Sequence, residues 1–393
     1  RVRSSAASDV YKRQEYNNPA GTYAGTIGNS GVINSNNSGL NVWYSDSSGF
    51  SGAITNSGKI TASTGLGIYV YSVAAGATAT FSGNILKSGA IKSEDTGIYV
   101  YNAGANGFTG KIGNTGTITA TDGYGVVAKT IADNSSAKFT GNIGNTGTIS
   151  SYDTGVYAYD VGDGGFAGTI GNSGSITSTT GEGILVDYVA ESGKFIGTLN
   201  NSGTIKSLDT GFSIFDVGTS GFSGAITNSG SIVSTSGTGL SVDSVAEGAS
   251  ATFSGSIVNS GSIFSGDLQG IAVTSVADGS SGKFIGSILN TGKISSFETG
   301  LAVETVGFAS FAGKIGNSGT ITSASYDGIS VANVASGGVF TGTIFNSGKI
   351  TSYSTGIYVD DVGYSSFAGH IGNSGSIVSS HEYGIYVSSV AEA

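Results

Sequence analysis

The chain has 393 residues, with 68 Gly, one Pro, no Cys and only 11% charged residues. Its net charge is −10 and the charges are dispersed singly, which excludes a nucleic-acid or anionic-membrane surface built from clustered Lys and Arg. Without Cys there are no disulfides, thiolate nucleophiles or Cys-ligated metals. No run approaches the roughly 18 apolar residues that predict a membrane-spanning helix.

The first residues differ from everything that follows. Arg1 to Gln14 matches no later segment and resembles translated adapter or linker sequence. Residues 1–20 are therefore predicted to be a non-repeat segment that is adapter-derived or disordered. The chain contains no Met, and its last residues, Val387 to Ala393, fall inside a repeat. We expect residues 21–393 to be a fragment of a longer protein, truncated at both ends.

A repeat of 27 to 31 residues fills the rest of the chain, and each copy is marked by an Asn-Ser/Thr-Gly corner. Before the corner the pattern is aromatic-x-Gly-x-aliphatic, as in Phe166 to Ile170. After it comes Ile, followed two residues later by Ser or Ala, and then a Gly-led apolar segment such as Gly183 to Val186. The thirteen corners, with one Lys in place of Asn, begin at Asn29, Asn56, Lys87, Asn114, Asn145, Asn172, Asn201, Asn228, Asn259, Asn290, Asn317, Asn346 and Asn373.

The alternation within each copy has a period of two, which is typical of strands. Three strands and three corners per copy predict an all-β fold, a single-stranded right-handed parallel β-helix (β-solenoid) of about 13 turns. Gly or Asn is expected wherever φ is positive. The Phe residues should stack in an inner column, and an inward Asn column should form hydrogen bonds from coil to coil.

Runs of x-Ile-x-Asn-Ser-Gly-x-Ile-x-Ser followed by Gly-Ile-x-Val resemble the passenger domains of Gram-negative autotransporter adhesins, which use type V secretion. The resemblance covers about Tyr23 to Ala393. It implies secretion through a C-terminal β-barrel translocator domain in the full-length protein, display at the cell outer membrane surface or release from it, and a role in adhesion. No catalytic motif comes with the resemblance.

Outward positions of the third strand are aromatic in the first coils, and the pattern is interrupted at Val127 and Lys129. This aromatic stripe is a candidate binding surface for a glycan or for a host or bacterial surface protein. The alternative is that stacked Tyr residues only stabilise the sheet. Farther along, the column becomes acidic at Asp187, Asp243, Glu304 and Asp360. The stripe consists of Trp43, Tyr69, Tyr71, Tyr99, Tyr101, Tyr157 and Tyr159.

Acidic residues also recur just before the third strand, and we interpret them as solvated corner carboxylates rather than Ca²⁺ ligands. We therefore predict no metal site and no cofactor. These residues are Asp95, Asp153, Glu182, Asp209, Glu298 and Asp327.

Two other functions stay open as alternatives. Pairs such as Thr117/Thr119 and Thr320/Thr322 form an array suited to ice binding, although Lys residues interrupt it. A carbohydrate-active β-helix enzyme, a polysaccharide lyase or hydrolase, is the other alternative, since fold alone does not exclude it.

The chain offers only His370 and His381, with no nucleophile and base pattern beside them. We predict no catalytic residues and no enzyme activity. The sequence is best interpreted as a secreted or surface-displayed adhesive stalk, a rigid spacer that also offers a binding surface.

Overall fold

The computed structural model describes residues 13–15, 21–43 and 48–391, and within these residues it contains strands and no helix. The chain divides into two compact units, Arg1–Gly193 (unit 1) and Lys194–Ala393 (unit 2). Each unit is a parallel β-solenoid in which every coil adds one strand to each of three sheets. Unit 1 contains six coils and unit 2 seven, which confirms the predicted fold and coil count. The direction of coiling stays a prediction.

Strands of the first sheet end at the corner residue, and equivalent residues pair in register, as Ile112 does with Ile143. The aliphatic residue and the corner Asn point inward, because side chains alternate along a strand. In unit 1 these strands are Thr26–Asn29, Ala53–Asn56, Asn84–Lys87, Lys111–Asn114, Asn142–Asn145 and Thr169–Asn172. In unit 2 they are Thr198–Asn201, Ala225–Asn228, Ser256–Asn259, Ser287–Asn290, Lys314–Asn317, Thr343–Asn346 and His370–Asn373.

In all but the first and last coils, the second sheet buries the Ile of each repeat and the small residue two positions later, as predicted for Ile118 and Ala120. Its strands in unit 1 are Val32–Ser35, Lys59–Ala62, Ala90–Ser93, Thr117–Ala120, Thr148–Ser151 and Ser175–Ser178. In unit 2 they are Thr204–Ser207, Ser231–Ser234, Ser262–Ser265, Lys293–Ser296, Thr320–Ser323, Lys349–Ser352 and Ser376–Ser379.

The third sheet has the longest strands. A short strand from the N-terminal segment, Arg13–Glu15, pairs in parallel with Leu40–Trp43. The further strands of unit 1 are Ile68–Val73, Ile98–Ala103, Val126–Ile131, Val156–Val161 and Ile184–Val189. In unit 2 they are Phe212–Val217, Leu240–Val245, Ile271–Val276, Leu301–Val306, Ile329–Val334, Ile357–Val362 and Ile385–Val387.

A fourth ladder at the aromatic position adds to the three predicted strands. In unit 1 it consists of isolated parallel bridges, such as Phe81 to Phe108 and Phe108 to Phe139. The aromatic residue and the first strand are separate because the chain packs closely at the intervening Gly, where a Cβ on Gly141 would lie 2.0 Å from the Gly110 carbonyl oxygen. In unit 2 the ladder includes the short strands Thr252–Phe253, Lys283–Phe284, Ser310–Phe311, Val339–Phe340 and Ser366–Phe367.

The core of each unit contains a column of stacked Phe rings. Ring centroids are 4.6 Å apart between Phe81 and Phe108 in unit 1, and 4.8 Å apart between Phe253 and Phe284 in unit 2. Phe166 and Phe195 are both fully buried. This confirms the predicted inner stack, which keeps the rings offset at a spacing favourable for aromatic pairs.

The corner Asn residues form the predicted coil-to-coil ladder, and it has a direction. Each amide nitrogen donates to the amide oxygen of the next Asn, at 2.7 Å from Asn114 to Asn145 and at 2.7 Å from Asn228 to Asn259. The amide oxygen of Asn114 also accepts from the Gly116 N–H at 3.0 Å. The ladder thus satisfies polar groups that would otherwise be costly to bury.

Lys87 interrupts the ladder in unit 1. Its side chain is fully buried, and its ammonium donates to Asn114 Oδ1 at 3.0 Å and to the Thr117 carbonyl. It replaces an Asn as donor, but a lysine has no acceptor to offer to Asn56. Burial lowers the pKa of Lys87 to about 7, because the interior disfavours the charged form.

The prediction that Gly or Asn occupies the positive-φ positions is wrong for most of them. In short coils a Gly takes this conformation, as at Gly104 with φ 63°, but long coils place Ala132 there with φ 54°. Thr130 and Tyr188 also have positive φ, at 56° and 50°, near the end of the third strand. Packing between coils therefore imposes a left-handed conformation on residues that rarely adopt it.

Candidate ligand-binding site

The structure places all seven predicted aromatic residues on the outer face of the third sheet of unit 1, each half-exposed. They form two parallel columns, because Tyr69 pairs in register with Tyr99, and Tyr71 with Tyr101. Residues between them in sequence, such as Val70, point inward and are fully buried. The alternation predicted from the sequence is therefore confirmed for the stripe.

Neighbouring rings of the stripe are in contact. Centroids are 5.5 Å apart between Tyr69 and Tyr99, and 5.4 Å apart between Tyr71 and Tyr101. Trp43 extends the second column at 5.4 Å from Tyr71. The rings thus form a continuous apolar surface over the first three coils.

Coil 4, which contains the Asn114 corner, interrupts the stripe as predicted. The position of Val127 is nevertheless covered rather than open to solvent. The side chain of Val127 is only 2% exposed, although it pairs in register with Tyr99 and Tyr157. Tyr124, three residues earlier, stacks on Tyr157 with a centroid distance of 5.8 Å. The aromatic ring missing from position 127 is supplied from position 124.

This rearrangement creates a recessed pocket of about 390 Å³ within unit 1. Tyrosine rings and Leu66 supply its apolar walls, and charged groups stand at Asp95 and Lys129. Its lining consists of Leu66, Tyr69, Asp95, Thr96, Tyr99, Tyr124, Val127, Lys129 and Tyr157. We call it the coil 4 pocket.

Sequence reasoning missed Tyr124 as a member of this site. The position just before the third-strand Gly holds Thr96 in coil 3 and Thr154 in coil 5, so a Tyr there is unusual within unit 1. The same coil lacks Tyr at position 127. That coincidence is the signal from which the pocket could have been found.

Burial, together with nearby charged groups, raises the pKa of three tyrosines of the pocket. Burial, followed by the charge of Asp153 and a hydrogen bond to it, raises the pKa of Tyr124. Burial, together with Tyr101 and Asp95, raises the pKa of Tyr99, and burial with Asp187 raises that of Tyr157. Each hydroxyl therefore stays able to donate as well as accept a hydrogen bond.

The ammonium of Lys129 lies 4.8 Å from the centroid of the Tyr159 ring, a cation–π contact. Asp95 is also held in place, because its Oδ1 accepts from the Thr96 N–H at 2.7 Å and from the Thr96 hydroxyl at 3.1 Å. One cation and one carboxylate thus stand at set positions beside the rings.

Two other acidic corner residues make local contacts of the same kind, whereas Glu182, Glu298 and Asp327 accept hydrogen bonds from an adjoining coil. Asp153 accepts from the backbone N–H of Thr154 at 2.8 Å, and Asp209 accepts from that of Thr210 at 2.7 Å. Among the described residues, no three His, Cys, Asp or Glu side chains come together as metal ligands would. These carboxylates organise the turn into the third strand.

The remaining candidates lie apart from the stripe. Thr117 pairs in register with Thr148, which pairs with Ser175, on the outer face of the second sheet of unit 1. His381 stacks on Tyr353 at 3.9 Å, and His370 lies 6.1 Å from the Phe345 ring, both in unit 2. In the described part of the chain, helices that could span a membrane are absent.

The fold and this surface define a class of protein, a parallel β-solenoid that carries an aromatic outer face on one part of its repeat array. Comparison with protein-family models, curated proteins and solved structures gives no match to the chain.

Proposed function

We propose that this chain is a structural and adhesive segment of a bacterial protein that is secreted or displayed at the outer membrane surface, as in an autotransporter passenger. It acts as a rigid spacer and contributes a binding surface of its own. Its uniform, charge-poor repeats without Cys support this proposal. So does the coil-to-coil ladder of buried Asn residues, which gives the coils other than that of Lys87 the same contacts with their neighbours.

The observation that carries the adhesive part is the aromatic stripe. Seven aromatic side chains stay half-exposed on one face of unit 1, although the core is complete without them. Aromatic rings with polar tips suit the apolar faces of sugar rings and are enriched at protein interfaces. We therefore propose a glycan, or a glycosylated partner on a host or bacterial surface, as the ligand.

The test replaces Tyr69, Tyr71, Tyr99 and Tyr101 together by Ser. Binding to glycan arrays and to whole epithelial or bacterial cells should fall by about tenfold or more, because each lost ring contact is worth about 1 kcal/mol. Circular dichroism should show that the β-fold is retained, since these side chains lie outside the core.

A matched control removes the same number of Tyr side chains from unit 2, where Tyr326, Tyr353, Tyr364 and Tyr383 are exposed. Their replacement by Ser should leave binding unchanged. Equal binding by all three proteins, or equal loss in the control, would argue against the stripe as a ligand surface.

The location is tested separately from the ligand. With the complete gene expressed in its own host, protease added to intact cells should remove this chain, or the chain should be found in the medium. Recovery only from the cytoplasm, protected from protease, would contradict surface display while leaving the binding result unaffected.

A further inference from the structure

We infer that the binding centre of the stripe is the coil 4 pocket, and that it takes a single uncharged pyranose ring at the end of a glycan. This inference rests on the proposed glycan binding and specifies it. A flat stripe would follow a chain of sugars along its length, whereas a recess bounded by rings selects one residue.

The dimensions of the pocket fit one ring. Its volume of about 390 Å³ lies near the lower end of the range of roughly 300 to 1,000 Å³ for small-ligand sites. Tyr69 and Tyr99 are stacked on each other along one side. Tyr124 and Tyr157, also stacked, belong to the following coils. Two tyrosine pairs therefore offer apolar contact to a ring seated between them.

Polar groups around the rings match the hydroxyls of a sugar. The Lys129 ammonium donates hydrogen bonds, the Asp95 carboxylate accepts them, and the tyrosine hydroxyls do both. Asp95 is already oriented by Thr96, so it needs no rearrangement to meet a ligand. A small-ligand site usually combines apolar walls with a few polar groups in fixed positions.

Charge around the pocket argues against acidic sugars. Asp95, Asp153 and Glu182 are all close enough to Tyr124 to disfavour its ionisation, whereas Lys129 is the one cation in the lining. A uronic or sialic acid would bring another negative charge into this surrounding, at an electrostatic cost. The pocket therefore favours a neutral pyranose.

The sequence of coil 4 suggests a specific test of whether the pocket is the binding site. Coils 3 and 5 have Thr96 with Tyr99 and Thr154 with Tyr157, whereas coil 4 has Tyr124 with Val127. Exchanging Tyr124→Thr and Val127→Tyr gives coil 4 the same two residues as both its neighbours, in which the Thr is buried and the Tyr faces outward. The double variant should fold, because the same pair already fits in the adjoining coils. It restores a tyrosine to the first column, leaves Lys129 in the second, and removes the pocket.

The probes are immobilised glycosides of glucose, galactose, mannose and N-acetylglucosamine, with glucuronic acid as the charged counterpart, measured by biolayer interferometry. Wild-type protein should bind at least one neutral glycoside and should bind the glucuronide more weakly than the glucoside. The double variant should bind about tenfold more weakly, because the ring at position 124 is removed and the tyrosine introduced at position 127 covers the recess. Ser241→Tyr, a Tyr added on the outer face of unit 2, should bind as the wild type does.

The outcomes distinguish binding at the coil 4 pocket from binding along the aromatic stripe as a whole. If the double variant binds as tightly as the wild type or more tightly, while the Tyr69, Tyr71, Tyr99 and Tyr101 variant loses binding, the flat stripe is the site and the pocket is refuted. If the wild type binds the glucuronide best, the charge argument is wrong. If it binds glycosylated cells but none of the single-sugar probes, recognition of one terminal ring is refuted.

Discussion

The third sheets of the two units share an inner face and differ on the outside. Inside, Val100 in unit 1 and Val273 in unit 2 occupy equivalent positions and are buried. Outside, unit 1 presents Tyr69 and Tyr99, whereas unit 2 presents mostly small or acidic residues such as Ser241 and Ala272. Its aromatic rings on this face are at Phe215, Tyr358 and Tyr386. Coil stacking therefore dictates the inner residues, and the outer ones are free to differ with function.

Acidic residues lie on the third-strand side of both units. The third-strand side of unit 2 carries Asp243 on its outer face, with Glu247 and Asp278 in the turns that follow the strands. Burial and then the charge of Asp278 raise the pKa of Glu247, and burial with Asp243 raises that of Asp278. In unit 1 the equivalent turns hold Asp133 and Asp163, and burial with the charge of Asp163 raises the pKa of Asp133, so these acidic turns do not distinguish the units.

The largest expected effect concerns a feature common to both units, the close approach of coils at the corner Gly. A Cβ at Gly116 would lie 2.1 Å from the Gly89 carbonyl oxygen, and one at Gly230 would lie 2.0 Å from that of Gly203. Because backbone cannot yield without separating the coils, Gly116→Ala and Gly230→Ala should each lower the free energy of unfolding by about 3 kcal/mol. Urea denaturation measures both.

Gly113 provides the control in the same coil. A Cβ there would meet the Leu86 side chain at 3.5 Å and the Gly144 carbonyl oxygen at 3.6 Å, both ordinary van der Waals distances. Gly113→Ala should therefore change the free energy of unfolding by less than about 1 kcal/mol. A large loss in only one unit would show that the coils of the two units are not equivalent at their corners.

Much of this architecture follows from the sequence, because a period of two and the spacing of Ile118 and Ile149 leave little choice but stacked coils. The sequence also predicts that Gly is needed at the corners, but the predicted reason, a positive φ, is wrong. Gly116 is required by the carbonyl oxygen of Gly89 in the previous coil, not by its own φ. A contact between residues that far apart in sequence leaves no local signature.

The coil 4 pocket could not be predicted from the sequence, for a related reason. Alternation places Val127 in the outward column, and it does lie in register with Tyr99. The direction taken by Tyr124 depends on the ring of Tyr157 and on the charge of Asp153 one coil away. Side-chain placement in a turn is set by neighbours in space, so the repeat pattern alone identifies the stripe but not its recess.

The next prediction concerns Lys87, which distinguishes unit 1 from the uninterrupted Asn ladder described in unit 2. In the unfolded chain its pKa is 10.5, and in the fold it is about 7. Between these values the unfolded state binds more protons, so stability rises with pH. From pH 7 to pH 9 the free energy of unfolding should increase by about 2 kcal/mol from this group.

Lys87→Asn is the matched control, because Asn occupies this position in the other coils. It should be more stable than the wild type at pH 7 and lack the rise between pH 7 and pH 9, as measured by urea denaturation at both values. Parallel pH profiles for the two proteins would mean that Lys87 keeps a normal pKa, and that the ammonium reaches water.

The smallest expected effect tests whether the outer columns matter for folding at all. Tyr101 stacks on Tyr71 outside the core, so Tyr101→Ser should lower the free energy of unfolding by only about 0.5 to 1 kcal/mol. Asp243→Ser, in the equivalent column of unit 2, should have almost no effect. Both are measured by the same urea titration. If Tyr101→Ser instead costs as much as Gly116→Ala, stacking in the stripe holds the sheet together, and its exposed rings no longer require a ligand to explain them.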